Sequence, residues 1–306
     1  MKIAVFTFSN PQKLSPVTDM DLTLLREAAE KRGHDFKIIF ANDCQIKLAR
    51  KPQLVIRDFD YEDVDVLIVR ANFLTANVEF KGSLIRQFEL VGVPVINRSL
   101  AVMRAKNKLK TLQILSQKNV PIPKTYIVSQ SQLLDDIVAD IGPFPIILKS
   151  IAGSHGSGVS IVESKRGLKS IVDMVVRNEA AEPVMLQEYV KESSGKDIRV
   201  FIVGKRIVGA MERIATRRGE FRSNFHLGGR VRVATMSRKE KDVAFAAIEA
   251  CGLDFAGVDL IRTKTGPKVL EVNANPGLEG ITKATGLDIA GEIIQYAARK
   301  ASRRKK

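Results

Sequence analysis

The chain has 306 residues, 45% of them hydrophobic, and a formal net charge of +15 at pH 7. At roughly 100–200 residues per domain, this length implies two or three units with a sizeable core. Cys44 and Cys251 are the only cysteines, which excludes a disulfide framework, and three histidines (His34, His155, His226) exclude a histidine-rich zinc centre.

No apolar run approaches the ~20 residues of a membrane span. The N-terminus, Met1-Lys2-Ile3-Ala4-Val5-Phe6, is apolar, but Pro11, Gln12 and Lys13 interrupt it too soon for a signal peptide. It reads as a first strand, and the expected location is the cytoplasm, without membrane contact. Residues 2–8 form that strand. A helix over 18–32 follows, with Thr18 as its cap, Asp21 in its first turn, Leu22, Leu25 and Ala29 on its apolar face, and Gly33 at its end. Strands over 35–40 and 65–70, a helix over 79–91 and a strand at 93–97 complete a small parallel sheet.

Residues 99–118 read as one helix, with Leu109, Leu112 and Leu115 at helical spacing, stopped by Pro121 and Pro123. Strands at 125–128 and 144–150 enclose another helix. A Gly/Ser loop spans 151–158, then come a strand at 159–164 and a helix over 166–178. Residues 184–190 lead to a unit made mostly of strands (197–203, 206–212, 230–235, 256–262, 268–273), with helices at 237–251 and 287–300. The fold class is α/β, becoming α+β in the C-terminal half. The expected units are 1–97, 98–187 and 188–306. The basic end, residues 299–306, is expected to be solvated and mobile, and is the one place suited to nucleic acid or an acidic partner.

Chemistry concentrates in four places. In residues 256–277, two apolar strands flank a turn at 263–268. Period 2 puts Glu271 and Asn273 on one face and Leu270 and Val272 on the other. A hairpin centred near Thr265 sets Asp259 opposite Glu271, where Cβ atoms lie about 4.5–5.5 Å apart. Opposed like charges destabilise a strand pair, so something compensates. Two readings stay open: a hard cation such as magnesium on these oxygens, or a Lys or Arg beside Asp259. The second place is the loop Lys149-Ser150-Ile151-Ala152-Gly153-Ser154-His155-Gly156-Ser157-Gly158, whose small residues let backbone N–H groups approach a polyphosphate. It lacks the Gly-Lys-Ser/Thr ending of a P-loop and the spacing of a dinucleotide fingerprint. Lys149 ends an apolar strand beside it and either reaches a phosphate or snorkels.

The third place is Gln187-Glu188-Tyr189-Val190 followed by Lys196-Asp197-Ile198-Arg199. Its backbone is suited to a base edge and Asp197 to ribose hydroxyls, although taken alone these are ordinary strand residues. The fourth is the polar loop Gly219–Gly229, in which Arg222 suits a bidentate grip on carboxylate or phosphate.

Together these segments resemble the ATP-grasp superfamily and, within it, the RimK family of glutamate ligases. The likeness covers nearly the whole chain through the runs LREAAEKRGH, IRQFELVG, QEYVKESSGKDIRV, EFRSNFHLGG, AGVDLIR and EVNANPGLEGI, in order and at family-like spacing. The resemblance implies an ATP-grasp fold with an N-terminal α/β domain, a central lid domain and a C-terminal domain, with ATP between the last two. By motif position, Lys108 and Lys149 contact phosphates under the loop carrying Gly156, Ser157 and Gly158. Gln187, Glu188, Tyr189 and Val190 line the adenine, and Asp197 holds the ribose. Arg222, Ser223 and Asn224 complete the nucleotide site, with Lys149, Arg222 and Asn224 in catalytic roles. Asp259, Glu271 and Asn273 hold magnesium or manganese, two ions in all.

The implied activity adds glutamate, through an acyl phosphate, to the C-terminus of a protein (a ribosomal protein) or to oligoglutamate, in a homo-oligomer. Competing readings are a ligase for another amino acid or a small acceptor, a biotin-dependent carboxylase component, and a non-catalytic basic ribosome- or RNA-binding protein. The last has few stacking platforms, at 6% aromatics and no Trp.

Overall fold

The structure, a computed structural model, describes residues 1–73, 77–151, 158–175, 183–193, 195–216 and 230–304. Strand β1 (Lys2–Thr7) is buried at every position from Ile3 onward. A strand covered on both faces belongs inside a parallel sheet. It pairs in parallel with β2 (Asp35–Phe40) on one side and β5 (Val66–Arg70) on the other, and β6 (Val95–Ile96) follows β5. Helices α1 (Pro16–Glu30) and α2 (Val78–Leu90) accompany this sheet. Helix α1 begins earlier than expected: Ser15, not Thr18, is the cap, accepting from the Thr18 N–H, with Pro16 in the first turn. Between β2 and β5 an antiparallel hairpin, β3 (Cys44–Leu48) and β4 (Pro52–Ile56), was not expected. Polar and proline positions break its apolar alternation.

Residues 99–118 are two helices rather than one, α3 (Ser99–Lys106) and α4 (Lys108–Gln117). Asn107 breaks them with extended backbone, and its side chain accepts from the Lys110 N–H at 2.9 Å, capping α4. Ala101, Val102 and Leu115 join a core shared with the first sheet and the last. The middle sheet, in the order β7 (Thr125–Val128), β10 (Val184–Glu188), β8 (Ile146–Ser150), β9 (Val159–Val162), is antiparallel. Helices α5 (Leu134–Ile141) and α6 (Lys165–Val175) give it a separate core around Ile137, Leu148, Leu168 and Leu186.

The last sheet is antiparallel, in the order β13 (Arg230–Val233), β12 (Arg206–Ile214), β11 (Lys196–Val203), β14 (Phe255–Thr263), β15 (Gly266–Asn273). Helix α7 (Arg238–Cys251) starts with a full capping box from Ser237 and Glu240. Helices α8 (Glu279–Thr285) and α9 (Ile289–Arg304) cover the opposite face. The basic end is therefore structured further than expected. Helix α9 runs to Arg304, and Lys300 Nζ donates to both Asp254 oxygens at 2.7 and 2.8 Å. Among the described residues no helix is long and apolar enough to cross a membrane.

One amide ties the first sheet to the last. Fully buried Asn97, just past β6, donates through Nδ2 to the carbonyls of Phe255 (2.8 Å) and Ala274 (3.2 Å). Its Oδ1 accepts from the N–H groups of Asp254 (2.6 Å) and Phe255 (3.0 Å). Replacing it strands four backbone groups. Asn97→Ala should cost about 3 kcal/mol or more in urea unfolding, since each buried unsatisfied group costs roughly 1–3 kcal/mol; a loss under about 1 kcal/mol would show that water replaces the amide.

Candidate active site

The face of the last sheet turned away from α7 is built by period 2 on four neighbouring strands. Cross-strand register sets Asp197 opposite Arg213, Arg199 opposite Asp259, and Asp259 opposite Glu271. The side chains join as the register directs. Arg213 grips Asp197 with two bonds (2.7 and 2.5 Å) and donates to Asp259 Oδ2 at 2.7 Å. Arg199 grips Asp259 with two bonds of 2.8 Å. Burial pushes the Asp259 carboxyl up, but the Arg199 and Arg213 guanidiniums outweigh it and hold the group below the usual carboxylate range. Burial works against the charged form of Arg213 too, and Asp259 and Asp197 more than restore it. Gly257 makes room: a Cβ there would sit 2.9 Å from Pro276 Cβ and 3.5 Å from Arg199.

Asp259 thus lies opposite Glu271 as expected, though the hairpin is built differently. The turn is tighter, with Thr263 opposite Gly266, and the register shifts by one residue between Leu260 and Asp259. The extra residue is Leu270, which is half-buried. Val269, not Leu270, takes the core face with Val272. Of the two readings of Asp259, the arginine one is present. Arg213 takes both oxygens of Asp197, which is 7% exposed, so this side chain belongs to the same ion-pair network as Asp259.

Glu271 is exposed, at the edge of this network, and acts electrostatically on Lys149 and Lys106. Lys149 Nζ donates to Gln187 Oε1 at 2.7 Å, and Gln187 Nε2 donates to Thr125 Oγ1 at 2.9 Å. Burial pulls the Lys149 ammonium down to about 8, Glu271 opposing and Lys108 adding to the fall. Lys106 falls to about 8 by the same balance, with Arg70 and Lys81 adding to it. Lys108 opens α4, where the helix terminus itself favours anions. Gly158 sits at φ +73°, a conformation glycine adopts without strain, and its carbonyl accepts from the Ser150 N–H at 2.9 Å.

Gln187 and Glu188 lie within β10, which is paired on both edges, so their backbones serve the sheet. The Glu188 carboxylate accepts from Lys268 Nζ and from the Lys124 N–H. Tyr189 and Val190 lie past the paired residues, where the chain leaves this sheet for β11. Gly156, Ser157, Arg222, Ser223 and Asn224 lie outside the described residues.

The donor set suits a hard cation in part. Among the described residues no group of three or more His, Cys, Asp or Glu side chains is placed to hold a metal. The set is two carboxylates and amides. Glu271 is exposed, Asn273 Oδ1 accepts from the Asn275 N–H at 2.9 Å, and the buried Asn275 Oδ1 has no partner among the described residues. An orphaned amide oxygen in this segment fits magnesium, which favours oxygen ligands.

Arg213, Lys106, Arg70 and Asn275 were not singled out in the sequence. A hint existed for Arg213, on a strand joined to Asp197 by a short hairpin, but that hairpin carries a shift between Phe201 and Ile202 that a count from the turn misses.

The model of the RimK-like ATP-grasp domain matches residues 105–297, and that of the RimK PreATP-grasp domain matches residues 1–102. A protein of Aliivibrio fischeri named "Probable alpha-L-glutamate ligase" is 40% identical over 280 residues, 91% of each chain. "Probable alpha-L-glutamate ligase 1" of Hahella chejuensis is 38% identical over 307 residues, covering 100% of this chain and 97% of its own. Among solved structures, the ATP-grasp ligase PsnB, complexed with a phosphomimetic variant of its minimal precursor, Mg and ADP, superposes with a TM-score of 0.74 at 18% identity, covering 98% of each chain. D-alanine–D-alanine ligase of Bacillus anthracis, complexed with ATP, gives 0.69 at 18% identity, covering 100% of this chain and 98% of its own.

Removing Arg213 leaves two buried carboxylates short of a partner. Arg213→Met should destabilise the protein by about 3–5 kcal/mol in chemical denaturation, the usual cost of an uncompensated buried charge. The double variant Arg213→Met/Asp197→Asn should recover part of that loss, and no recovery would mean that the two residues are not coupled.

Proposed function

Because this chain belongs to the RimK family and is an ATP-dependent ligase of the ATP-grasp fold, we propose that it joins glutamate to a carboxylate acceptor. The acceptor is the C-terminus of a protein, such as a ribosomal protein, or a growing oligoglutamate tail. The names of the relatives support the amino acid, and the peptide precursor bound to PsnB supports an acceptor of peptide kind. The observation that carries the reading is the β14–β15 register, which sets Glu271 opposite Asp259 and Asn273 opposite Gly257 on one sheet face. The non-catalytic reading gives way to the family assignment.

In this mechanism the acceptor carboxylate attacks the γ-phosphorus of ATP, the bond to the ADP oxygen breaks, and an acyl phosphate forms. The glutamate amine attacks the acyl carbon, phosphate departs, and the nitrogen loses a proton as the amide forms. The chain supplies no nucleophile, so its work is positioning and charge neutralisation. Lys149 and Lys108 hold the phosphates. Gly156, Ser157 and Gly158 are carried over from the family motif to the phosphates, where excluding water would protect the acyl phosphate from hydrolysis. Tyr189 and Val190 offer the base their backbone. Arg222, Ser223 and Asn224 are carried over from the family motif to the transferring phosphoryl group. Asp259, Glu271 and Asn273 would hold magnesium or manganese, whose charge when bound offsets that of the triphosphate. The Arg199–Arg213 network keeps Asp259 ionised for that task. A cytoplasmic homo-oligomer is the expected setting.

The test is ADP release with MgATP, each amino acid in turn and an oligoglutamate peptide, followed by mass spectrometry. Whole glutamyl additions are expected, with at least a hundredfold loss in Glu271→Gln, about the scale on which an electrostatic contact in a transition state acts. ADP release without glutamyl products would keep the ligase and discard the substrate.

Lys149 adds a pH dependence. ATP favours its charged form and lifts its pKa from about 8. Binding should therefore take up protons between about pH 8 and 9, and ATP affinity should fall as pH rises through that window. Calorimetry in buffers of different ionisation enthalpy reads this, and Lys149→Arg should remove its share of the uptake.

A further inference from the structure

The first sheet reverses its strand order between β1 and β5, since β2 lies beyond β1 on one side and β6 beyond β5 on the other. Open α/β sheets take ligands in the crevice at the carboxyl ends of such strands. Arg70 ends β5 at that crevice and is 2% exposed. Its Nη2 donates to Asp21 Oδ2 and, at 3.0 Å, to the Pro276 carbonyl. Its Nη1 is buried and has no hydrogen-bond partner among the described residues. A buried guanidinium N–H without an acceptor is costly, and such a group asks for an acceptor that arrives from outside the chain.

A second cation lies near it. Lys106 Nζ donates to the Phe73 carbonyl at 2.9 Å and stands 5.0 Å from the centre of the Phe73 ring. It forms no salt bridge among the described residues, although Arg70, Lys81 and Glu271 all act on it electrostatically. Lys81 approaches the same ring, at 5.4 Å. Asp21 is spent on Arg70 and on the Leu278 N–H, at 2.8 Å. Arg70 thus offers one unspent guanidinium N–H, and Lys106, on which Arg70 acts electrostatically, offers an ammonium. That combination suits a carboxylate.

We propose that Arg70 Nη1 and Lys106 Nζ form a subsite for a carboxylate of the acidic substrate, at the junction of the first sheet with the loop after β15. This rests on the glutamate-ligase reading above and adds to it where the substrate is gripped. Asp21 acts as a positioning residue: it orients Arg70 by one oxygen and fixes the 276–278 loop by the other. The carboxylate comes either from glutamate or from the acceptor, and kinetics separate the two.

Initial rates of ADP release are measured with MgATP, glutamate and tetraglutamate for the wild type, Lys106→Met and Arg70→Lys. Lys106→Met removes the ammonium but keeps an unbranched apolar stem, and it reads the subsite even if Arg70→Lys folds poorly. A rise of about tenfold or more in one substrate's KM is expected, the usual scale for losing a hydrogen bond to a charged group, with the KM for ATP and the thermal midpoint of Lys106→Met unchanged. A rise confined to glutamate assigns the carboxylate to the incoming amino acid, and one confined to tetraglutamate assigns it to the acceptor. Unchanged KM values beside an active wild type overturn the subsite. An inactive wild type sinks the ligase substrate instead. In that event calorimetric titration of glutamate and succinate decides: binding weakened in the variants sustains the subsite, and equal or absent binding overturns it.

Discussion

Four charges buried on one sheet face, Asp197, Arg213, Asp259 and Arg199, set the terms for the rest of the site. A carboxylate in such a place stays ionised only if it is paired and hydrogen-bonded, and both conditions are met by in-register neighbours on β11, β12 and β14. The network has two positive and two negative members, so it leaves no surplus charge. It also decides the role of Glu271, which lies opposite Asp259 but outside the network. The open carboxylate stands at the rim while the closed one sits behind it. Gly257 belongs to the same arrangement, because a side chain there would press on Arg199 and on Pro276.

The first and last sheets are joined more firmly to each other than either is to the middle one. Two hydrophobic cores run through both, one on each face of β1, while the middle sheet keeps its own. Asn97 and the Asp21–Arg70 pair add polar fastenings at the same junction, one to the start of β14 and the end of β15, the other to the loop beyond. The middle sheet meets the last through narrower contacts, notably Lys268 with Glu188 and the Val269 N–H with the Pro121 carbonyl at 2.7 Å.

Much of this was legible from local pattern. The apolar runs of β1, β5 and β14 and the 3.6-residue spacing of Leu22, Leu25 and Ala29 identify their elements, because each is buried by local periodicity. Asp259 opposite Glu271 was also readable. What escaped depends on partners distant in sequence. The break at Asn107 is invisible to helical spacing, since Leu109, Leu112 and Leu115 all lie on the α4 side of it. Arg213 needed the β11–β12 register, which is shifted. The partner of Asp197 was hidden for the same reason, since nothing nearby in sequence points to Arg213. Arg70 reads as the last residue of a strand until Asp21 and Pro276, 49 and 206 residues away, are brought to it.

The extra residue at Leu270 divides β15 into two stretches of different phase. On the turn side, Val269 faces Leu260 and the strand answers to the core. On the far side, Glu271 and Asn273 face Asp259 and Gly257, and the strand answers to the chemistry. A regular ladder would force one alternation on both, so that a hydrophobic demand near the turn would dictate which way the carboxylate points. The bulge releases each half from the other. Core residues near the turn and the polar pair Glu271 and Asn273 near the loop become separately adjustable, within a single hairpin of unbroken backbone.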